Sequence, residues 1–161
     1  MSDFDMVMRQ FTGPGLLEQL ELLARIFIAS MLGALIGIER KNQNKSAGVR
    51  THAIVALGAA LMMVVSKYGF ADSAKVDASR IASQVVSGVS FLGAGVIFVR
   101  NNLINGLTTS AGIWATAGVG LALGCGQYVV GICSALMIII VQMIMHKVAF
   151  FRMLPQEVIC G

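Results

Sequence analysis

The stretch Asn101–His146, NNLINGLTTSAGIWATAGVGLALGCGQYVVGICSALMIIIVQMIMH, contains no Asp, Glu, Lys or Arg, although the chain carries 12 basic and 8 acidic residues elsewhere. A bilayer core of about 30 Å needs about 20 apolar residues per helix. The 46 residues of this stretch are therefore too many for one membrane-spanning helix and suit two. We place the turn between these helices at Gly124–Gln127.

The composition of the whole chain agrees with one helical membrane domain. Apolar residues make up 57% of the 161 residues, the mean hydropathy is +0.80, and 18 glycines would let helices pack closely. The net charge of +4 comes from short basic flanks between apolar runs, which indicates contact with cytoplasm or lipid headgroups, and we expect no nucleic-acid partner. Cys125, Cys133 and Cys160 show no metal-binding or CxxC spacing.

The apolar runs predict an all-α, polytopic transmembrane bundle of about five helices. The expected spans are about Leu16–Ile38, Thr51–Ser66, Ile81–Val99, Leu107–Leu123 and Tyr128–Met145. They divide the chain into an extracytoplasmic segment 1–15, a transmembrane domain 16–147 and a short cytoplasmic tail 148–161. The first ten residues do not resemble a cleavable signal peptide, because they lack a basic start followed by an apolar core.

Basic residues in the connections set the predicted orientation. Four of them crowd the first connection, which the positive-inside rule places in the cytoplasm: Arg40, Lys41, Lys45 and Arg50. Five spans then put the N-terminus outside and the C-terminus inside. Near the outer end of the first span, Arg25 follows Glu21 by four residues, and we expect its long side chain to snorkel to the interface.

The chain also shows a weak internal similarity. The segment Gly33–Arg40 resembles Gly93–Arg100, and Gly48–Ala53 partly matches Gly106–Ala111. If this similarity reflects duplication, helices 1–2 and 3–4 form a parallel repeat, with the fifth helix added. Chance similarity between glycine- and alanine-rich helices is the alternative.

Polar residues concentrate at the predicted cytoplasmic ends of the first four helices: Glu39, Arg40, Arg50, Thr51, His52, Arg100, Thr108 and Thr109. We expect Thr51, and either Thr109 or Ser110, to cap helix N-termini, and His52 to hydrogen-bond at the start of its helix. Because a short connection joins Glu39 to Arg50, we predict a buried ion pair between them. Ordinary flanking charge and capping is the alternative for each residue taken singly.

The third span carries a polar face. Asp77, Arg80, Gln84, Ser87, Phe91 and Gly95 recur at steps of three or four, as on one side of a helix. Since polar groups at membrane depth need partners, we expect this face to point into the bundle, where it either hydrogen-bonds other helices or lines a solvated path. Five glycines are expected to allow close helix packing: Gly33, Gly37, Gly88, Gly93 and Gly95.

These residues give the chain a recognisable pattern. Its blocks are Gly33-x-x-x-Gly37-x-Glu39-Arg40, Gly48-x-Arg50-Thr51-His52, Asp77-x-x-Arg80-x-x-x-Gln84 leading to Gly88-x-x-Phe91-x-Gly93-Ala94-Gly95, and Gly106-Leu107-Thr108-Thr109 followed by Trp114. In order and spacing the chain resembles the transmembrane domain of the MgtC/SapB family from about Leu22 to Lys147. The resemblance implies a bacterial inner-membrane protein that serves magnesium homeostasis or transport, growth at low magnesium and virulence. The soluble domain that follows the last helix in the best-known virulence members is not expected within this chain.

The resemblance makes Mg²⁺ the expected substrate, with no resident cofactor. Magnesium prefers oxygen ligands and keeps several waters. Glu39 and Asp77 are the acids beside the glycine-rich core, and the predicted topology separates them by about 30 Å. They would mark two ends of a path, or one would meet its symmetry mate in a dimer. Alternatively, Arg40 and Arg80 hold them in structural ion pairs.

Two other functions stay open. The resemblance also implies a non-transporting regulator that contacts a membrane partner such as ATP synthase, and small-residue faces suggest a homodimer. Arg40, Arg50 and Arg100 near two helix N-termini favour instead an anion such as a phosphate or lipid headgroup. The spacing of His52 and His146 fits no catalytic triad, so we do not expect an enzyme. The direction of transport and its energy source do not follow from the sequence.

Overall fold

The computed structural model describes residues 15–70, 77–100 and 103–152. Within these ranges the chain forms five α-helices and one short β-hairpin. The elements are α1 (Gly15–Asn42), α2 (Val49–Tyr68), α3 (Ser79–Ala94), β1 (Phe98–Arg100), β2 (Leu103–Asn105), α4 (Leu107–Gly124) and α5 (Tyr128–Arg152). The predicted all-α helical bundle is confirmed.

Four of the described helices, α1, α2, α4 and α5, are long and apolar enough to cross a membrane. The predicted span Ile81–Val99 is wrong at its C-terminal end, because α3 stops at Ala94 and a hairpin follows. The 16 residues of α3 extend about 24 Å, less than a hydrocarbon core of about 30 Å. A crossing at α3, and with it the orientation of the termini, therefore stays a prediction.

The hairpin joins α3 to α4 through a glycine. β1 and β2 pair antiparallel with Val99 opposite Ile104. Gly106 follows with φ +93°, a backbone conformation that residues with a side chain rarely adopt. A Cβ at this position would also collide with the Val96 carbonyl. The N-caps of α2 and α4 are Gly48 and Gly106, without side-chain capping bonds. The predicted capping by threonine or serine is therefore wrong, because glycine occupies both N-cap positions.

Small residues bring α1, α2 and α4 into close contact. Gly33 lies against the backbone of His52, and Gly120 lies against that of Ala56. A methyl group at either glycine would meet a backbone carbonyl, so glycine permits these helices to approach. The adjoining core consists of fully or almost fully buried apolar side chains: Ala29, Ile36, Ala56, Ala60, Val119, Leu123 and Ala135.

Residues that correspond to one another in the two similar halves of the sequence make similar helix contacts. Gly33 packs on His52, and its counterpart Gly93 packs on Ser110, the counterpart of His52. Gly37 packs on Gly48–Val49 in the same way that Ile97 packs on Gly106. The two halves diverge after Ala94, where the first half continues as helix and the second turns into the hairpin.

The polar face of α3 lies on the surface of the single chain. Gln84, Ser87 and Gly95 are exposed, Phe91 is 82% exposed, and Gly88 has open space beside it. The prediction that this face points into the bundle is wrong. Its opposite face carries Val85, Val89 and Gly93, and these pack against the core instead.

Candidate functional site

A cluster of polar side chains, three of them buried and one half-buried, lies where the C-terminal part of α1 meets the start of α2 and the middle of α5. We call Glu39, Arg40, His52 and Gln142 the buried polar cluster. The side chains of Glu39 and Arg40 are 8% and 4% exposed, and His52 is fully buried. Buried charges need partners, so the arrangement within the cluster decides what it can do.

Both carboxylate oxygens of Glu39 are engaged. Arg40 Nε lies 3.5 Å from Glu39 Oε2, and the Gln43 amide donates to Oε1 at 2.5 Å. With its amide nitrogen facing Glu39, Gln142 donates to Oε2 at 2.9 Å and accepts from Arg40 Nη1 at 3.3 Å. The predicted Glu39–Arg50 pair is wrong, because α2 turns His52 toward α1 and leaves Arg50 exposed.

Two nitrogens of the cluster have no hydrogen-bond partner among the described residues, Arg40 Nε and His52 Nε2. The other ring nitrogen of His52, Nδ1, lies 3.0 Å from the Gly48 carbonyl, which confirms the predicted hydrogen bond at the helix start. If Nδ1 carries the proton and donates it, Nε2 is an acceptor. A buried polar group without a partner costs about 1–3 kcal/mol, so the cluster is not a fully satisfied structural network.

A groove of about 500 Å³ adjoins the cluster, between α4 and α5. Arg40, Gln43 and Lys45 lie at its polar end, together with Gln142 and His146. Gly112 forms part of the wall, and a Cβ there would approach the Gln142 amide at 3.1 Å and His52 Nε2 at 3.6 Å. The α4 glycine therefore leaves room between the groove and the unpartnered histidine nitrogen.

A second arginine organises the opposite end of the bundle. Arg25 donates to the hydroxyl groups of Tyr68 at 2.9 Å and Tyr128 at 3.1 Å, and it pairs with Glu21. Its guanidinium also lies 5.6 Å and 5.7 Å from the centres of the two tyrosine rings. We call these four residues the Arg25 clamp. The side chain of Arg25 is 11% exposed and lies between the tyrosines, and its snorkelling to the membrane interface stays a prediction.

Asp77 lies at the Arg25 end, remote from Glu39. Its carboxylate accepts hydrogen bonds from the Ser79 amide at 3.0 Å and hydroxyl at 2.6 Å, and it lies 3.8 Å from Arg80 Nε. The Ser79 hydrogen bonds lower the pKa of Asp77 below its ordinary value. Within the described ranges, no three His, Cys, Asp or Glu side chains group as metal ligands.

The other candidate residues are dispersed. Thr109 is buried, Thr51 and Arg50 are exposed, and Thr108 lines the groove. The side chain of Arg100 lies outside the described residues, so grouping of Arg40, Arg50 and Arg100 around one anion stays a prediction. Sequence reasoning missed Gln142, although an amide within the apolar run IVQMIM is itself a signal of a buried partner.

Comparison with known proteins places this arrangement in a family. The chain matches the MgtC family over residues 26–151. It is 47% identical over 135 residues to the "Putative magnesium transporter YhiD" of Escherichia coli K12, covering 81% of this chain and 63% of that protein. It is 40% identical over 126 residues to the protein SapB of Bacillus subtilis, covering 74% of this chain and 54% of that protein.

The protein MgtC of Salmonella typhimurium LT2 is 39% identical to the chain over 127 residues, which cover 79% of the chain and 53% of that protein. The chain thus spans between about half and two thirds of the length of these curated relatives. No solved structure matches the chain. The family match and the three relatives agree with the motif pattern, and the chain belongs to the MgtC family.

Proposed function

We propose that this protein acts in magnesium homeostasis in the bacterial inner membrane, with Mg²⁺ as a transported substrate. Membership of the MgtC family and the name of the relative YhiD support magnesium as the ion. The observation that carries the proposal is the buried Glu39 carboxylate, because carboxylate oxygens are among the ligands that Mg²⁺ prefers.

The two candidate carboxylates would act at different stages. Asp77 is exposed at the Arg25 end, where its lowered pKa keeps it ionised and able to attract a hydrated cation. Glu39 is held by Arg40, so an ion arriving at Glu39 must displace the guanidinium or bind through water. Mg²⁺ keeps several waters and is often bound by one or two carboxylates. Contact with Glu39 through water is therefore favoured, because it leaves the ion pair with Arg40 intact.

Magnesium flux into liposomes containing only this protein tests the proposal. Wild type should admit Mg²⁺ to an entrapped magnesium-sensitive dye, and Asp77→Asn and Glu39→Gln should each slow the signal. Glu18→Gln is the matched control, since Glu18 is an exposed acid in the first turn of α1. If wild-type liposomes show no flux while the protein still supports growth at low magnesium, transport is excluded and a regulatory role in homeostasis remains.

A second candidate is a regulatory protein that works as a homodimer through α3. Gln84 and Ser87 are exposed on that helix, and Gly88 has no atom within 4 Å of a Cβ position. Amide and hydroxyl groups both donate and accept, so two copies of this face can satisfy one another across a twofold axis. A second copy is therefore the occupant that the face fits best.

Oligomeric state in mild detergent tests this candidate. Light scattering should give a dimer for wild type and a monomer for Gly88→Leu. Gly58→Leu is the control, because Gly58 lies on α2 and also has open space beside it. A monomeric wild type would exclude the homodimer and leave an unrelated membrane partner to cover α3.

A further inference from the structure

The groove between α4 and α5 changes character along its length. At one end lie Thr108 of α4 and His146 of α5, and at the other lie Ala115 and Met137. Seven residues separate Thr108 from Ala115, which corresponds to about 10 Å along a helix. The groove is thus an elongated site with a polar end and an apolar end, about as long as a lipid headgroup with the first part of its chain.

The polar end is basic. Arg40, Lys45 and His146 line it, and none of the described side chains that line the groove is acidic. Glu39 lies behind Arg40 and does not line the groove, and its oxygens are engaged by Arg40 and two glutamines. A ligand entering from the groove therefore meets donors and positive charge.

Arg40 supplies the unsatisfied donor. It is 3% exposed, it lines the groove, and its Nε has no hydrogen-bond partner in the described part of the chain. A guanidinium only donates hydrogen bonds, so a ligand that meets Arg40 from the groove must be an acceptor, and Lys45 beside it favours an anionic one. Planar N–H groups of arginine suit phosphate oxygens particularly well.

The apolar end of the groove indicates that the ligand also carries an apolar part. Ile138 and Val141 of α5, with Ala111 and Ala115 of α4, continue the groove beyond the basic residues. A free anion would leave these walls uncovered, whereas a hydrocarbon chain would fill them. Basic pockets between transmembrane helices bind phospholipid headgroups in this manner.

We propose that this groove binds the phosphate group of an anionic phospholipid, with the phosphate at Arg40, Lys45 and His146 and the first part of an acyl chain along the apolar walls. Bound lipid would give the Arg40 guanidinium a second anionic partner beside Glu39 and would contact α4, α5 and the end of α1. This site shares Arg40 with the buried polar cluster, but it uses neither Asp77 nor a carboxylate ligand and does not need magnesium.

Thermal melting of the full chain in detergent, without magnesium, tests the site. Phosphatidylglycerol should raise the melting temperature, and phosphatidylcholine at the same concentration should do so less. Lys45→Gln should weaken the apparent affinity for phosphatidylglycerol about fivefold, as expected for one cationic contact at a membrane surface, and His146→Gln should weaken it less. Arg50→Gln is the matched control, since Arg50 is a basic residue at the same end of the bundle, exposed and not lining the groove.

Two further measurements separate the sources of the phosphate. Ala115→Trp fills the apolar half and should abolish protection by phosphatidylglycerol. If inorganic phosphate alone protects as well as the lipid, and Ala115→Trp leaves that protection intact, the phosphate site stands and the lipid is overturned. Equal protection by the two lipids, or an equal loss of affinity in Arg50→Gln, would overturn the site.

Discussion

The two buried arginines of α1 lie fifteen residues apart, about 22 Å along the helix, and their surroundings differ. Arg25 makes two hydrogen bonds to tyrosine hydroxyls, an ion pair with Glu21 and contacts with two aromatic rings. Arg40 is paired with Glu39 and Gln142, yet its Nε lacks a hydrogen-bond partner among the described residues, and it borders a groove.

This difference separates a structural arginine from a functional candidate. A buried charge whose donors are all matched stabilises one arrangement of its helices. A buried charge with an unmatched donor beside a cavity retains the capacity to bind something else. We therefore assign helix fastening to the Arg25 clamp and ligand binding or ion handling to the buried polar cluster.

The largest effect is expected from breaking the pair in the buried polar cluster. Glu39→Gln or Arg40→Gln leaves one buried charge without its partner, which should cost about 3–5 kcal/mol. The double variant should lose clearly less than the sum, because it removes both charges together. Melting curves in detergent measure all three, and strictly additive losses would show that the two side chains do not interact.

The next effect concerns the helix contact beside His52. Gly33→Ala would place a Cβ against the His52 carbonyl and 2.8 Å from Ala56 Cβ, and the backbone has little freedom to retreat. Overpacking of this kind should cost about 1–3 kcal/mol and shift His52 relative to Arg40. Gly58→Ala serves as the control, since no atom lies within 4 Å of its Cβ position. Equal stability of the two variants would mean that α1 and α2 are less closely packed than described.

Arg25→Gln should have a smaller effect on stability and little effect on function. It removes the cation–π contacts and part of the hydrogen bonding of the Arg25 clamp, at a cost of about 1–2 kcal/mol. Melting curves measure that loss, and growth at low magnesium measures function. A variant that is stable but inactive would contradict the structural role assigned to this arginine.

The smallest effect is expected at Asp77. The hydrogen bond from Ser79 lowers its folded pKa, so its contribution to stability is present above the ordinary carboxyl value and is lost as the pH falls through the lower, folded value. Ser79→Ala should raise the pKa of Asp77 toward the ordinary value. An NMR titration of the carboxyl carbon measures the change, and an unaltered pKa would show that the backbone amide of Ser79 alone sets it.

Much of the fold followed from the distribution of charge. Apolar runs located all five described helices, and four of the five predicted spans contain no charged residue, because a span in lipid excludes unpaired charge and needs a minimum length. The end of α3 could not be located in this way, since apolar residues suit a helix and an extended strand equally. Two glycines flank the β-hairpin. The sequence predicts that Gly95 packs within a continuous third helix and that Gly106 lies at the start of the fourth.

Less of the candidate site was predictable. Glu39, Arg40 and His52 stand out because they interrupt apolar sequence, and the Glu39–Arg40 pair is one of the predicted alternatives, but the contact with Gln142 is not predicted. The ion pair was assigned to Arg50 from chain proximity, whereas the direction of each side chain depends on helix rotation, which the glycine contacts of α1 and α2 set. The Arg25 clamp joins residues 43 and 103 positions apart, and no local pattern indicates such contacts.

Growth at low magnesium of a bacterium that depends on this protein tests most directly whether function resides in the buried polar cluster. The double variant Glu39→Gln/Arg40→Gln is compared with Arg25→Gln, each as the sole copy and at matched membrane levels. The account predicts that Arg25→Gln supports growth and that the double variant does not. Normal growth with the double variant, together with failure of Arg25→Gln, would contradict it.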